Sequence, residues 1–190
     1  MALVYQVFSS RKSGHLKNWN YAAAATYFIT ICTKKRIPFL GEVISNSNKN
    51  SFKASAIGEI ISSQWRQIPL IRPDMNIQLG AFQLMPDHLH GIIKIGINVF
   101  NQHLYPNNKV LENPLSHSLN YIDSKGKNLP NKHNLHSIIR GFKAAVTKSA
   151  ITYNLDFEWQ RGYYEHIIRS NAELDKIKYY ILTNPNRWQV

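Results

Sequence analysis

Two kinds of periodicity in one chain predict an α+β fold. Short runs rich in β-branched and aromatic residues alternate with segments whose apolar residues recur every three or four positions. Their order is strand–helix–strand–strand–helix–strand, followed by a terminal helix. That order selects an antiparallel sheet with helices packed on it. At 190 residues the chain is one domain of ordinary size, able to bury a core without disulfides.

Residues 1–19 are polar, basic and weakly patterned, and read as an N-terminal arm ahead of a single domain over 20–190. Tyr21 to Thr33 reads as the first strand, with Tyr27, Ile29 and Ile31 alternating against Phe28, Thr30 and Cys32. Asn46 to Asn50 is a polar turn. Residues 54–68 carry Ile57, Ile60, Ile61, Trp65 and Ile68 at helical spacing, with Pro69 as the stop. Asn76 to Met85 and His88 to Ile95 are two strands joined around Pro86 and Asp87. From 97 to 134, Asn, Pro, Lys and Ser are frequent and periodicity is lost, so a long loop or insertion is expected. Leu135 to about Thr152 is a helix with Leu135, Ile138, Ile139, Phe142, Val146 and Ala150 as its apolar stripe. Phe157 to Ile168 has the composition of a strand. Ser170 or Asn171 caps a last helix that runs to Thr183, with Glu173 and Asp175 in its first turn and Pro185 just beyond it. The compact solution places the first two helices on one face of the sheet. It is a ferredoxin-like (RRM-like) arrangement with a helix added at the C-terminus.

Lys and Arg number 23 against 11 acidic residues, a formal net charge of +12. That balance favours an anionic partner, nucleic acid first. Six basic residues and no acidic one lie between Lys125 and Lys148. Arg140, Lys143, Arg161 and Arg169 are the candidate phosphate contacts, with intramolecular pairing as the competing role for each. The single cysteine, Cys32, excludes a disulfide framework, is expected to be a small buried side chain, and fits a reducing, cytoplasmic compartment. No stretch reaches the length of a membrane span, and the N-terminus is a poor signal peptide.

The chemistry is concentrated in two short runs. In Met85-Pro86-Asp87-His88-Leu89-His90 the two imidazoles are two residues apart, so on a strand they leave the same face. Such a pair can hold a divalent metal, although surface or backbone-satisfied histidines share the pattern. In Tyr180-Ile181-Leu182-Thr183-Asn184-Pro185, a phenol and a carboxamide are four apart, on one face of a helix. Asn184 can offer an oxygen as third ligand, and the Tyr180 hydroxyl can attack phosphorus. A phenol titrates near pH 10 and needs help in deprotonation. The plain alternative is ordinary aromatic packing by Tyr179 and Tyr180 before an Asn-Pro helix stop. Asp87 can orient a histidine or only shape the turn. Glu165 and His166 can approach the same face from the last strand, and Trp159 to Gly162 can form a DNA-contacting turn. Phosphate-binding glycine loops, zinc-finger cysteines and a dense carboxylate set are absent from the sequence. Metal plus tyrosine suits transesterification better than hydrolysis.

The run Leu84 to Gly91 resembles the histidine–hydrophobe–histidine motif of HUH single-strand DNA transposases. Ile138 to Lys143, Trp159 to Arg169 and Tyr179 to Pro185 resemble the same group, in the same order. Together they look like REP-associated tyrosine transposases, within the insertion sequence 200-like superfamily, over roughly residues 20–188. The resemblance implies that His88, His90 and Asn184 bind a divalent metal, Mg²⁺ or Mn²⁺. It makes Tyr180, rather than Tyr179, the nucleophile. It also implies cleavage of single-stranded DNA beside hairpins through a 5′-phosphotyrosine link, a homodimer as one assembly, and residence at the nucleoid. Two other classes stay open on the residues: a catalytically silent DNA-binding or regulatory protein, and a metallohydrolase of small phosphorylated substrates.

Overall fold

The computed structural model describes residues 16, 19–46, 49–104, 121–122, 128–129 and 132–188. β1 (Ala25–Cys32), β4 (Ile77–Met85), β5 (His88–Ile95) and β8 (Tyr164–Ile168) form one sheet in the order β4-β5-β1-β8. All neighbours in it are antiparallel. β4 and β5 are joined by the two residues Pro86 and Asp87, with Met85 opposite His88. Three long helices accompany the sheet: α1 (Ala56–Ile71), α2 (Leu135–Thr152) and α3 (Asn171–Thr183).

The alternation in β1 assigns the two faces. Tyr27, Ile29 and Ile31 enter a large core with Leu89, Ile93 and Ile95 of β5 and the stripes of α1 and α2. All six stripe residues expected for α2 are buried. An Asn134–Ser137 capping box starts that helix, satisfying donors that would otherwise be orphaned. Phe28 and Ile92 leave the other face and meet Ile168, Ile177 and Ile181, so α3 lies on the side opposite α1 and α2. Ser170 caps α3 by accepting from the Glu173 amide at 3.2 Å.

The fold departs from the sequence expectations in four places. The first strand begins at Ala25, because Ala22 to Ala24 fold into a turn, with the Ala23 amide donating to the Asn20 carbonyl at 2.9 Å. Pro69 does not stop α1, which runs to Ile71. The proline sits in the last turn, where its missing N–H costs one intrahelical bond only two residues before the end. The strand expected from Phe157 pairs only over Tyr164–Ile168. Its earlier part is irregular and meets the end of β1 through an isolated bridge, Thr33 to Trp159, with the Gln160 amide donating to the Cys32 carbonyl at 2.9 Å. Gly162, at φ +76°, turns the chain there, and the aromatic residues Phe157 and Trp159 serve the core instead of a ladder. A hairpin of β2 (Gly41–Asn46) and β3 (Lys49–Ala54) flanks the polar turn and had no sequence signal.

In the 97–134 segment, Asn101 is buried and its amide donates to the Ala22 carbonyl at 3.0 Å. A two-residue pair, β6 (Tyr121–Ile122) with β7 (Asn128–Leu129), is also described. Residues 105–120, 123–127 and 130–131 of that expected insertion, and the 1–19 arm apart from Leu16 and Trp19, lie outside the described residues. Among the described residues no helix is long and apolar enough to cross a membrane.

Candidate active site

The register of the central strands builds the site. His88 lies opposite Cys32, and His90 opposite Thr30, on the face that α3 covers. Gly91 makes this register possible on the other face, where the Trp65 ring occupies the space of a side chain. A Cβ at Gly91 would lie 2.3 Å from Trp65 Cζ2.

Each histidine is held by one ring nitrogen. His90 Nδ1 is hydrogen-bonded to Thr30 Oγ1 at 2.8 Å, and His88 Nδ1 to the Asp87 carboxylate. The Nε2 atoms of the two rings then face each other across 3.2 Å. Both side chains are 5% exposed, enough for a ligand to reach them while bulk water is largely excluded. Burial holds the His90 imidazole well below its usual pKa, and the neighbouring His88 and Arg36 push the same way. A neutral imidazole is the form that binds metal. Burial would raise the Asp87 carboxyl, but the hydrogen bond and charge of His88, with the charge of Arg36, outweigh it and hold the group below the usual range. Arg36 Nε donates to Asp87 Oδ2 at 2.7 Å, and Arg36 Nη1 lies 2.8 Å from Cys32 Sγ. Cys32 is therefore half-buried on the histidine face and not a core residue, which corrects the sequence expectation.

α3 brings the phenol. Tyr180 Oη lies 3.4 Å from His90 Nε2, and its ring packs edge-on against Phe28. Tyr179 is 65% exposed on the outer side of the helix, so the two adjacent tyrosines have different environments. One turn after Tyr180, Asn184 is buried. Its Nδ2 has no hydrogen-bond partner among the described residues. Three residues further, Arg187 places its guanidinium 5.7 Å from the Tyr180 ring centre, and the Trp188 ring lies 6.1 Å from that of His88.

The donor set fits a divalent cation. Two imidazole nitrogens each about 2.1 Å from one ion, at a normal angle, are about 3.0–3.4 Å apart, and the two Nε2 atoms are 3.2 Å apart. Thr30 and Asp87 contact the Nδ1 atoms, the position that orienting partners take around metal-ligating histidines. A half-turn of the Asn184 amide replaces its unpaired nitrogen by an oxygen. Among the described residues no group of three His, Cys, Asp or Glu side chains is arranged to hold a metal ion.

The four basic candidates are dispersed. Arg140 is exposed on α2, on the face of the sheet opposite the histidines. Lys143 donates to the carbonyls of Gln160 at 2.7 Å and Gly162 at 3.0 Å and lies over the Trp159 ring, so it braces the loop before β8. Arg161 is exposed in that loop and lines a cavity with Thr30, Cys32 and Tyr164. Arg169 lines a separate groove with Thr26, Gln78 and Lys94. Of the two last-strand candidates, Glu165 points away from the site and accepts from Tyr21 Oη at 2.6 Å. His166 shares the site's face but is bound to Glu173 at 2.6 Å. Sequence reasoning missed Thr30, Arg36, Arg187 and Trp188. Only the position of Thr30 beside the histidines was recoverable, from the strand pairing.

No known family profile matches the chain. A protein of Haemophilus influenzae, described only as uncharacterised, is 34% identical over 180 residues, covering 94% of this chain and 90% of that protein. The chain belongs to the same family as that protein. Among solved structures, a REP-associated tyrosine transposase bound to a REP hairpin superposes with a TM-score of 0.50. The match spans 91% of this chain and 73% of the other, at 15% sequence identity. At that identity the likeness is one of fold: a mixed α+β architecture with an antiparallel sheet flanked by helices.

Proposed function

We propose that this family of proteins is a branch of the HUH single-strand DNA transposases, near the REP-associated tyrosine transposases, and that the chain is a metal-dependent DNA transesterase. The observation that carries the reading is the meeting of Tyr180 Oη, His90 Nε2 and His88 Nε2 within 3.4 Å and 3.2 Å steps. Three side chains from two distant motifs converge at one place on the sheet, two of them buried and one half-buried. The sheet order β4-β5-β1-β8, that of a ferredoxin-like fold, supports the same reading. Residues 20–190 then form one catalytic domain, with 1–19 as an arm and 97–134 as an insertion.

In this reading His88, His90 and Asn184 hold Mg²⁺ or Mn²⁺. When bound there, the cation supplies Lewis-acid polarisation of a phosphoryl oxygen. Tyr180 is held by the edge contact with Phe28 and by α3, so its oxygen meets phosphorus at a fixed angle. The Tyr180 Oη–P bond forms as the P–O3′ bond breaks. The phenolic proton is lost and the departing 3′-oxygen gains one, so the step is balanced without a further reactant. The phosphotyrosine diester conserves the bond energy, and a 3′-hydroxyl can reverse the step and rejoin the strand. Half-burial of the site keeps water from competing.

Labelled hairpin DNA with single-stranded flanks, incubated with the protein and Mg²⁺ or Mn²⁺, tests this. A covalent adduct is expected from the wild type and from Tyr179→Phe, and none from Tyr180→Phe. An adduct that survives Tyr180→Phe refutes the nucleophile. Tight hairpin binding without any adduct, across metals and flanks, moves the protein to the catalytically silent DNA-binding class. With roughly five phosphate contacts on a single strand, log affinity should fall with log salt at a slope of about −3.5.

A further inference from the structure

The C-terminal turn after α3 carries a cation to the nucleophile. Asn184–Arg187 forms a short 3₁₀ turn whose position is held from outside. The Asn50 amide donates to Asn186 Oδ1 at 3.0 Å, and the Asn50 side chain to the Pro185 carbonyl at 3.3 Å. The hairpin of β2 and β3 therefore fixes the turn, and the turn lays Trp188 against His88. Arg187 is exposed, and its guanidinium sits 5.7 Å from the Tyr180 ring and 6.0 Å from the Tyr179 ring. Among the described residues no carboxylate pairs with it. The other guanidinium at the site, Arg36, is committed to Asp87.

The geometry points to Arg187 as the residue that grips the scissile phosphodiester beside Tyr180 and neutralises the charge gathered on its non-bridging oxygens during attack. This rests on the transesterase reading and extends it. Three physical features argue for it. A planar guanidinium matches two phosphate oxygens at once, and Arg remains charged at all relevant pH. Resting over a phenol ring is a weak contact, so the side chain can turn onto an arriving anion without losing a strong partner. Once turned onto the phosphate, a cation at the place where charge develops acts mainly on the transition state. The bonds made and broken are those given above; Arg187 gives up no proton.

The test couples the residue to one phosphate. Wild type and Arg187→Gln are each titrated with hairpin oligonucleotides carrying a neutral methylphosphonate at successive flank positions, without metal. At one position the substitution should weaken wild-type binding about fivefold and leave Arg187→Gln unaffected. In the single-turnover adduct assay, Arg187→Gln should be about 100-fold slower at saturating DNA, and Arg187→Lys should recover part of the rate. Lys148→Gln, the same charge loss on exposed α2, should match wild type. Equal methylphosphonate sensitivity of wild type and Arg187→Gln at every position overturns the assignment, as does a wild-type saturated rate in Arg187→Gln. Coupling at one phosphate with no adduct from any protein leaves the phosphate grip standing but overturns both its transition-state role and the transesterase reading.

Discussion

Gly91→Ala should unseat the strand that carries both histidines, although it adds a single methyl on the face away from them. The new Cβ would lie 2.3 Å from Trp65 Cζ2 and 2.7 Å from Cη2, distances that no settled contact adopts. Trp65 cannot simply withdraw. Its ring is stacked on Phe82 at 5.2 Å and meets Phe142 edge-on at 5.4 Å, and the residue is 2% exposed. Overpacking a filled core costs about 1–3 kcal/mol, and a clash against a wedged indole belongs in the upper half of that range. For a chain of this size that is a fall in Tm of about 5–10 °C. Urea unfolding should show a lower midpoint at unchanged slope. Trp65→Leu should itself cost about 2–3 kcal/mol through the cavity it leaves, but it removes the ring that the methyl strikes. Adding Gly91→Ala to Trp65→Leu should therefore be nearly neutral, a coupling of at least about 1.5 kcal/mol. If Gly91→Ala lies within about 0.5 kcal/mol of wild type, or the two costs simply add, the indole does not set the position of β5.

Three further outcomes are expected. Thr30→Val keeps the shape of the side chain but removes the partner of His90 Nδ1; Mn²⁺ binding by calorimetry should weaken about 10–100-fold, and an unchanged isotherm would show that the threonine does not orient the ring. The Glu173 carboxyl is raised by burial but lowered more by the Arg169 amide and by His166, so its folded pKa lies below the ordinary value; its contribution is present above the unfolded pKa, near 4.3, and lost as pH falls through the folded value. Glu173→Ala should thus lower Tm at pH 7 and converge with wild type as the pH falls through the folded value, and a gap that widens in acid contradicts this. Mixing His88→Ala with Tyr180→Phe protein, after subunit exchange is demonstrated, should restore no adduct, and rescue would mean that the tyrosine serves a neighbouring chain.

What was legible in the sequence was what local pattern determines. Tyr27, Ile29 and Ile31 alternate strictly, and the α2 stripe from Leu135 to Ala150 keeps helical spacing, because each faces one continuous core. His88 and His90 were legible for the same reason: a period of two is a property of the strand alone. The hairpin of β2 and β3 escaped notice because its residues are largely polar, and part of what holds it is the distant turn at 184–187, reached through Asn50. Phe157 and Trp159 misled because aromatic content reports burial as well as extension. The cations were the least readable part. Lys143 was expected to face DNA, and its ammonium binds two loop carbonyls instead. Arg187 carried no pattern at all, since its meaning lies only in which ring the turn places beneath it.

The completion of the site within one chain follows from a short link. β8 ends at Ile168 and α3 begins at Asn171, leaving Arg169 and Ser170 between them. Two residues span at most about 7 Å, so α3 begins beside the end of β8, and its apolar face lies on the same sheet. Its anchoring reinforces this. Ile177 and Ile181 are buried against Phe28, Ile92 and Ile168, and Ser170 and Glu173 lock its first turn to the end of β8. An exchange of α3 between two chains would have to remake those isoleucine contacts on the partner's sheet and open the two-residue link. The far end is held as well, because the turn after α3 is bonded to the hairpin of β2 and β3. With both ends tied to its own sheet, α3 delivers Tyr180 to His90 of the same chain.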